Sequence, residues 1–228
     1  MRDETIQLKR IYDLIAESFD RTRRKPWIEC LKIIEGLERG ALILDVGCGN
    51  GRHSNWLARE GFRIVGIDFS RRMIEVAMRN ASKINVEVEY VVGDACNLPF
   101  KDNVFDGVLS IALIHHLPSE KLRVKAVEEV KRVLKPRGKA LFSAWYKYQL
   151  KFLWKLVKTW LKGGEWGDVK VPWRYRGEKL ERFYHLMSLR ELRRTAEKAG
   201  LKVVEAFGSS PRKKRFWENV FVLAVKEQ

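Results

Sequence analysis

The nine residues ILDVGCGNG, Ile43 to Gly51, constrain the fold more than any other stretch. A short apolar run from Ala41 to Val46 breaks at a glycine loop and then opens into a helical pattern near 52–60. That is a strand, a turn and a helix start, the place where an open α/β sheet binds ligands beyond its strand C-termini. Gly47, Gly49 and Gly51 let the backbone approach a ligand and adopt positive φ. Downstream the pattern alternates: strand FRIVGID, a helix from Ser70, strand VEVEYVV, strand FDGVLSIAL, a helix after Ser119, and strand GKALFSAW. Strands alternating with helices require crossover connections, hence a parallel sheet covered on both faces. The pattern ends differently, in LKVVEAFGSS and FWENVFVLAV joined by PRKKR, a hairpin at the sheet edge.

The loop does not suit a dinucleotide. Arg52 stands where the dinucleotide fingerprint wants a small residue, and Asp45 closes the first strand, where a carboxylate repels a pyrophosphate. Asp68 ends the second strand, spaced to accept from two ribose hydroxyls, and Asp94 follows the third, placed to accept from an adenine amino group. Three acids at successive strand ends fit a donor with a cationic end and no phosphate. S-adenosylmethionine, with a sulfonium and an ammonium, is such a donor.

Charge points to the partner. The formal net charge is +16, and residues 146–228 hold 20 basic against 9 acidic side chains, a net +11. Such a field favours a polyanion, nucleic acid first and an anionic membrane second. Three cysteines without paired spacing suit a cytoplasmic protein and no zinc ribbon. A single domain over 1–228 is expected, with an N-terminal helical cap at 1–40 and an inserted basic segment at 146–187. Within the insertion, Lys147, Lys151, Lys155, Lys158 and Lys162 recur at helical spacing, ended by Gly163 and Gly164. This predicts a basic amphipathic helix, on a membrane surface, against phosphates, or merely solvated. A second helix is expected to begin near Trp27. In SIALIHHL, Ser110 and Ile111 are expected to form the wall beside the donor, and His115 and His116 a loop facing the acceptor. No third ligand at matching spacing accompanies the histidines, so no metal is expected.

The segments YDLIAESFDRTRRKPW, DVGCGNG, SIALIHHLPSEKLRVKAVEEVKRVLKPRGKALFSAW and RFYHLMSLREL together resemble class I S-adenosylmethionine-dependent methyltransferases. More narrowly, the chain resembles the tRNA methyltransferases that esterify wobble carboxymethyluridine, including the methyltransferase part of the AlkB-fused animal proteins. The resemblance implies a seven-stranded Rossmann-like sheet and a donor site that adds Tyr12, Lys25, Trp27, Phe69 and Ala95 to the residues above. It implies an acceptor side of Arg23, Trp145, Arg182, Tyr184 and His185; on sequence alone His185 also reads as a core histidine at a helix start. It also implies the tRNA anticodon stem-loop as substrate and a small zinc-binding activator protein, with no stable membrane insertion. Two other activities are compatible with the same loop: a membrane-surface methyltransferase for a quinone- or lipid-like acceptor, and a catalytically silent RNA-binding module.

Overall fold

The computed structural model describes residues 2–210 and 217–228, so the PRKKR loop at 211–215 lies outside the described residues. Helix α1 (Arg2–Thr22) is followed by a 3₁₀ turn at Ile28–Ile33. Then come β1 (Leu42–Val46), α2 (Arg52–Arg59), β2 (Arg63–Asp68), α3 (Arg71–Lys83), β3 (Glu89–Val92), β4 (Phe105–Ile111) and a second 3₁₀ turn at Ile114–His116. The remainder runs α4 (Glu120–Val133), β5 (Leu134–Trp145), α5 (Leu150–Trp160), β6 (Asp168–Tyr175), β7 (Glu178–His185), α6 (Leu189–Lys198), β8 (Lys202–Ser209) and β9 (Asn219–Val225). The second helix expected near Trp27 is therefore only the first 3₁₀ turn.

Seven strands form one sheet in the order β3-β2-β1-β4-β5-β9-β8. The first five pair in parallel, and β9 runs antiparallel to both β5 and β8. The apolar runs are continuous because both sheet faces are buried. Along β1, Leu44 and Val46 enter a core shared with Val127 and Val130 of α4 and Leu192 of α6. Ile43 enters the opposite core with Leu57 of α2 and Ile33. Each such buried aliphatic side chain contributes about 1.5–3 kcal/mol. Strand order reverses between β1 and β4, which leaves a crevice beyond their C-terminal ends.

The 146–187 insertion makes its own small layer. Helix α5 starts at Leu150, so Lys147 lies outside it, contrary to the spacing argument. Lys147 is instead buried, bonded to Glu191 of α6 and to the Trp166 carbonyl. Beyond α5, β6 and β7 form a two-stranded antiparallel hairpin. Its inner face packs on α1, where Trp173 stacks on Phe19 and donates its indole N–H to Ser18. The hairpin thus covers one side of the crevice.

Candidate active site

The crevice is a cavity of about 1100 Å³. Its floor is the loop after β1. Gly47 has φ +75°, and a Cβ there would come within 2.5 Å of Leu113 Cδ1, while one at Gly51 (φ +77°) would meet the Tyr90 hydroxyl. Only glycine serves at both places. The loop amides are then turned inward: the Gly49 N–H donates to Asp68 Oδ2 at 3.0 Å, and the Ser70 N–H to Asp68 Oδ1 at 2.9 Å. Burial pushes the Asp68 carboxyl up to about 6, against the pull of these two bonds. A buried carboxyl this close to titration is held ready for a cationic or hydroxylic ligand. Phe69, Asp94 and Ala95 line the same end, with Asp94 also accepting from the Cys96 N–H at 2.9 Å.

Asp45 does not line the cavity. Its carboxylate turns behind the glycine loop and accepts from Ser54 Oγ at 2.6 Å, with burial raising it to about 6. It therefore ties the loop to α2 and is not placed against a ligand. Gly51 and Ser110 are likewise behind the wall, whereas Ile111 is in it. The Ser110 hydroxyl is fully buried with no partner among the described residues.

At the end of β4 the chain turns at Ala112, a non-glycine residue with φ +56°. Its N–H is fixed by both the carbonyl and the hydroxyl of Ser143. Strain of this kind is held in place by surrounding structure and clusters at working sites. The turn delivers His115 and His116 to the cavity. The Trp145 N–H donates to His115 Nδ1 at 3.1 Å, so the proton of that ring sits on Nε2. His116 Nδ1 lies 3.2 Å from the Phe183 carbonyl, which can only accept, so Nδ1 carries the proton and Nε2 accepts from the Tyr12 hydroxyl at 2.9 Å. Burial holds His115 well below its ordinary range and His116 down to about 3. Both rings are neutral.

Opposite them stands Arg182, 4% exposed. Its guanidinium lies 4.7 Å from the Trp173 ring centroid, 5.3 Å from Tyr184 and 5.9 Å from Tyr12, and it donates to the Tyr12 hydroxyl at 3.4 Å. Its Nε has no partner, and no carboxylate pairs with it among the described residues. The Trp145 and Tyr184 rings lie 4.8 Å apart, tilted by 30°, and complete an aromatic wall. Arg23, Lys25, Trp27 and Arg52 line the mouth, with the Arg52 guanidinium 5.0 Å from the Trp27 ring. Burial lowers Arg52 to about 10, still cationic at neutral pH.

His185 departs from expectation. It ends β7 and does not begin a helix, and it does not reach the cavity. Alternation along a strand sends Arg182 and Tyr184 to one face and Phe183 and His185 to the other. His185 Nδ1 bonds Asp168 Oδ1 at 2.7 Å, and Glu165, 3.6 Å away, is paired with Arg123 of α4. These three donors could hold an ion, but both acids already have partners, and the network ties the hairpin to α4. Phe19 and Arg52 are cavity-lining residues that motif spacing missed, and Trp173 stands behind the lining, against the Arg182 guanidinium. The clue to Trp173 was the period-two apolar set Val169, Val171, Trp173 and Tyr175 on one hairpin face.

Comparison with known proteins places the chain in a family. Residues 44–142 match the methyltransferase domain family. A Schizosaccharomyces pombe tRNA (carboxymethyluridine(34)-5-O)-methyltransferase is 32% identical over 226 residues, covering 89% of this chain and 91% of the relative. The chain belongs to this S-adenosylmethionine-dependent methyltransferase family. An Arabidopsis thaliana enzyme of the same description is 37% identical over 136 residues, and the chain spans only 32% of its length. Among solved structures, a Methanosarcina mazei S-adenosylmethionine-dependent methyltransferase superposes with TM-score 0.78 at 23% identity, covering 89% of this chain and 99% of the other. The methyltransferase seen with the Haloferax volcanii Trm112 activator superposes at 0.63 with 19% identity, covering 95% and 98%. The methyltransferase fits its cofactor on its own geometry: Gly47 and Gly49, both at positive φ, bring bare backbone to the cavity, and the buried Asp68 lines it with Asp94 beside it. Among the described residues no helix is long and apolar enough to cross a membrane.

Proposed function

We propose that the acceptor is a carboxylate, that of 5-carboxymethyluridine at the wobble position of tRNA, converted to its methyl ester. Arg182 carries this reading. A buried guanidinium with no counter-anion among the described residues is expensive, and Arg182 lines the cavity, where its planar terminal nitrogens suit a carboxylate. S-adenosylmethionine, held by the glycine loop, Asp68 and Asp94, supplies an electrophilic methyl group on sulfonium. A carboxylate acceptor is ionised near neutrality, with an ordinary pKa of about 4, so no residue needs to remove a proton. The chain's task is to bind and orient: Arg182 fixes the anion, the Trp145 and Tyr184 rings wall the base, and the cavity excludes water. Two neutral histidines, each already hydrogen-bonded, serve as walls and are poor bases. That disfavours a hydroxyl acceptor of the quinone or lipid kind.

The relatives' names support tRNA as the carrier of the uridine, and the basic lining at Arg23, Lys25 and Arg52 suits a polyanion. An activator of the Trm112 kind would seat at β3. That strand is one of the sheet's two edges, flanked by exposed Met78, Ile84 and Val92. The deciding experiment incubates the protein with tRNA that carries unesterified 5-carboxymethyluridine and with isotopically labelled cofactor, then analyses nucleosides by mass spectrometry. A labelled methyl group removed by mild alkali supports the ester. An alkali-stable label means carbon, nitrogen or ribose methylation and overturns it.

A further inference from the structure

Helix α5 is attached to the body along one narrow line. Phe152 and Leu156 are buried with Val169 and Val171 of β6 and Tyr184 of β7. In contrast, Leu150, Trp154 and Leu161 are 81%, 77% and 73% exposed. At about 100° per residue these three lie within about 40° of one another and make one outward stripe. Lys151, Lys155 and Lys158 occupy the adjacent strip, between the outward stripe and the buried line, within about 60°, and Lys162 follows in the turn after the helix. No acidic residue occurs from Tyr146 through Gly164, and among the described residues no carboxylate pairs with Lys155, Lys158 or Lys162.

Two observations select the occupant. A contiguous apolar patch kept in water marks a binding surface more often than a solvated face. The lysine strip also begins at the cavity: Lys151 lines it, with Nζ 5.8 Å from the Trp145 ring centroid. A polymer anchored by its target base in the cavity has its next residues at this rim. The strip then offers cations over about 10 Å of helix, from Lys151 to Lys158, with Lys162 in the turn beyond.

We propose that α5 is a platform for unpaired nucleotides beside the methylated one, with a base stacked on Trp154 and phosphates along Lys155, Lys158 and Lys162. This rests on the reading of an RNA acceptor. Tryptophan stacking tolerates any base, and lysines track a backbone without reading sequence, so the platform adds affinity and orientation while the cavity keeps selectivity.

The test titrates the full chain into a fluorescently labelled single-stranded RNA of about ten nucleotides, lacking any carboxymethyl group, at several KCl concentrations. The double variant Lys155→Glu and Lys158→Glu is expected to weaken binding and flatten the log–log salt slope by about 1.4. Trp154→Ala is expected to cost about tenfold at every salt concentration, and Trp154→Phe to recover most of it. All three side chains are exposed, so the variants keep the wild-type unfolding curve and the wild-type rate on free carboxymethyluridine nucleoside. Unchanged affinity and slope in the variants, or no binding by the wild type, overturns the proposal. So does loss of binding to phosphatidylserine vesicles with RNA affinity intact, which assigns the stripe to a bilayer. Failure of the acceptor reading is separate: the wild type would then bind the oligonucleotide through α5 yet produce no alkali-labile ester on tRNA that carries carboxymethyluridine.

Discussion

Replacing Arg182 by methionine separates a ligand-binding cation from a structural one. The guanidinium is 4% exposed and is held by rings and tyrosine hydroxyls, with no carboxylate among the described residues. If it grips the acceptor carboxylate, its loss removes a charge-assisted pair worth about 3 kcal/mol, so kcat/KM for the RNA acceptor falls about a hundredfold. Folding should respond in the opposite sense. Methionine fills much of the same volume without a desolvated charge, so the apoprotein's Tm should hold or rise by a few degrees. Arg182→Lys should not rescue activity, because one ammonium cannot reproduce the fork. The assay pairs methyl transfer from labelled cofactor with calorimetry on the same preparations, and donor affinity is measured as a control. Activity within about threefold of wild type, or a Tm drop that matches the activity loss, would refute the reasoning.

Three further outcomes follow from the same geometry. Donor affinity should fall about tenfold between pH 7 and pH 5: the unliganded Asp68 carboxyl titrates near 6 and a bound cation favours its charged form, so acid opposes binding; isothermal titration across that range checks it, and a flat profile would refute it. Gly47→Ala should cost about 1–3 kcal/mol of stability and most donor binding, because φ is +75° and the new methyl meets Leu113; calorimetry and titration read both. At saturating donor, kcat should be flat from about pH 6.5 to 9, since the acceptor is ionised and both cavity histidines stay neutral; a limb near 7 would restore one of them as a base.

What the sequence disclosed divides by mechanism. The glycine loop and the acids at 68 and 94 were legible because strand ends are fixed by the backbone, and the sheet brings those ends together. Asp45 looked equivalent but faces α2, since its position on the strand, not its charge, decides its direction. His185 looked like a neighbour of Arg182 and Tyr184, and adjacency in sequence is what separates it from them on a strand. Lys147 fits the lysine spacing of α5, yet the helix starts three residues later and the side chain pairs with Glu191. Periodicity cannot see a helix boundary set by a partner on another element. The β6–β7 hairpin, and with it Trp173, was missed although its alternation is legible, because Pro172 inside the run argues against a strand.

The position of β9 has a consequence for assembly. It follows every other strand in the chain, yet it lies inside the sheet, joining β5 to β8. Until it is synthesised, β5 presents a bare hydrogen-bonding rim and β8 with α6 has no strand to dock on. Nascent chains stalled before Asn219 should therefore be sticky, protease-sensitive species, and a chaperone would find its longest-lived client surface at that gap.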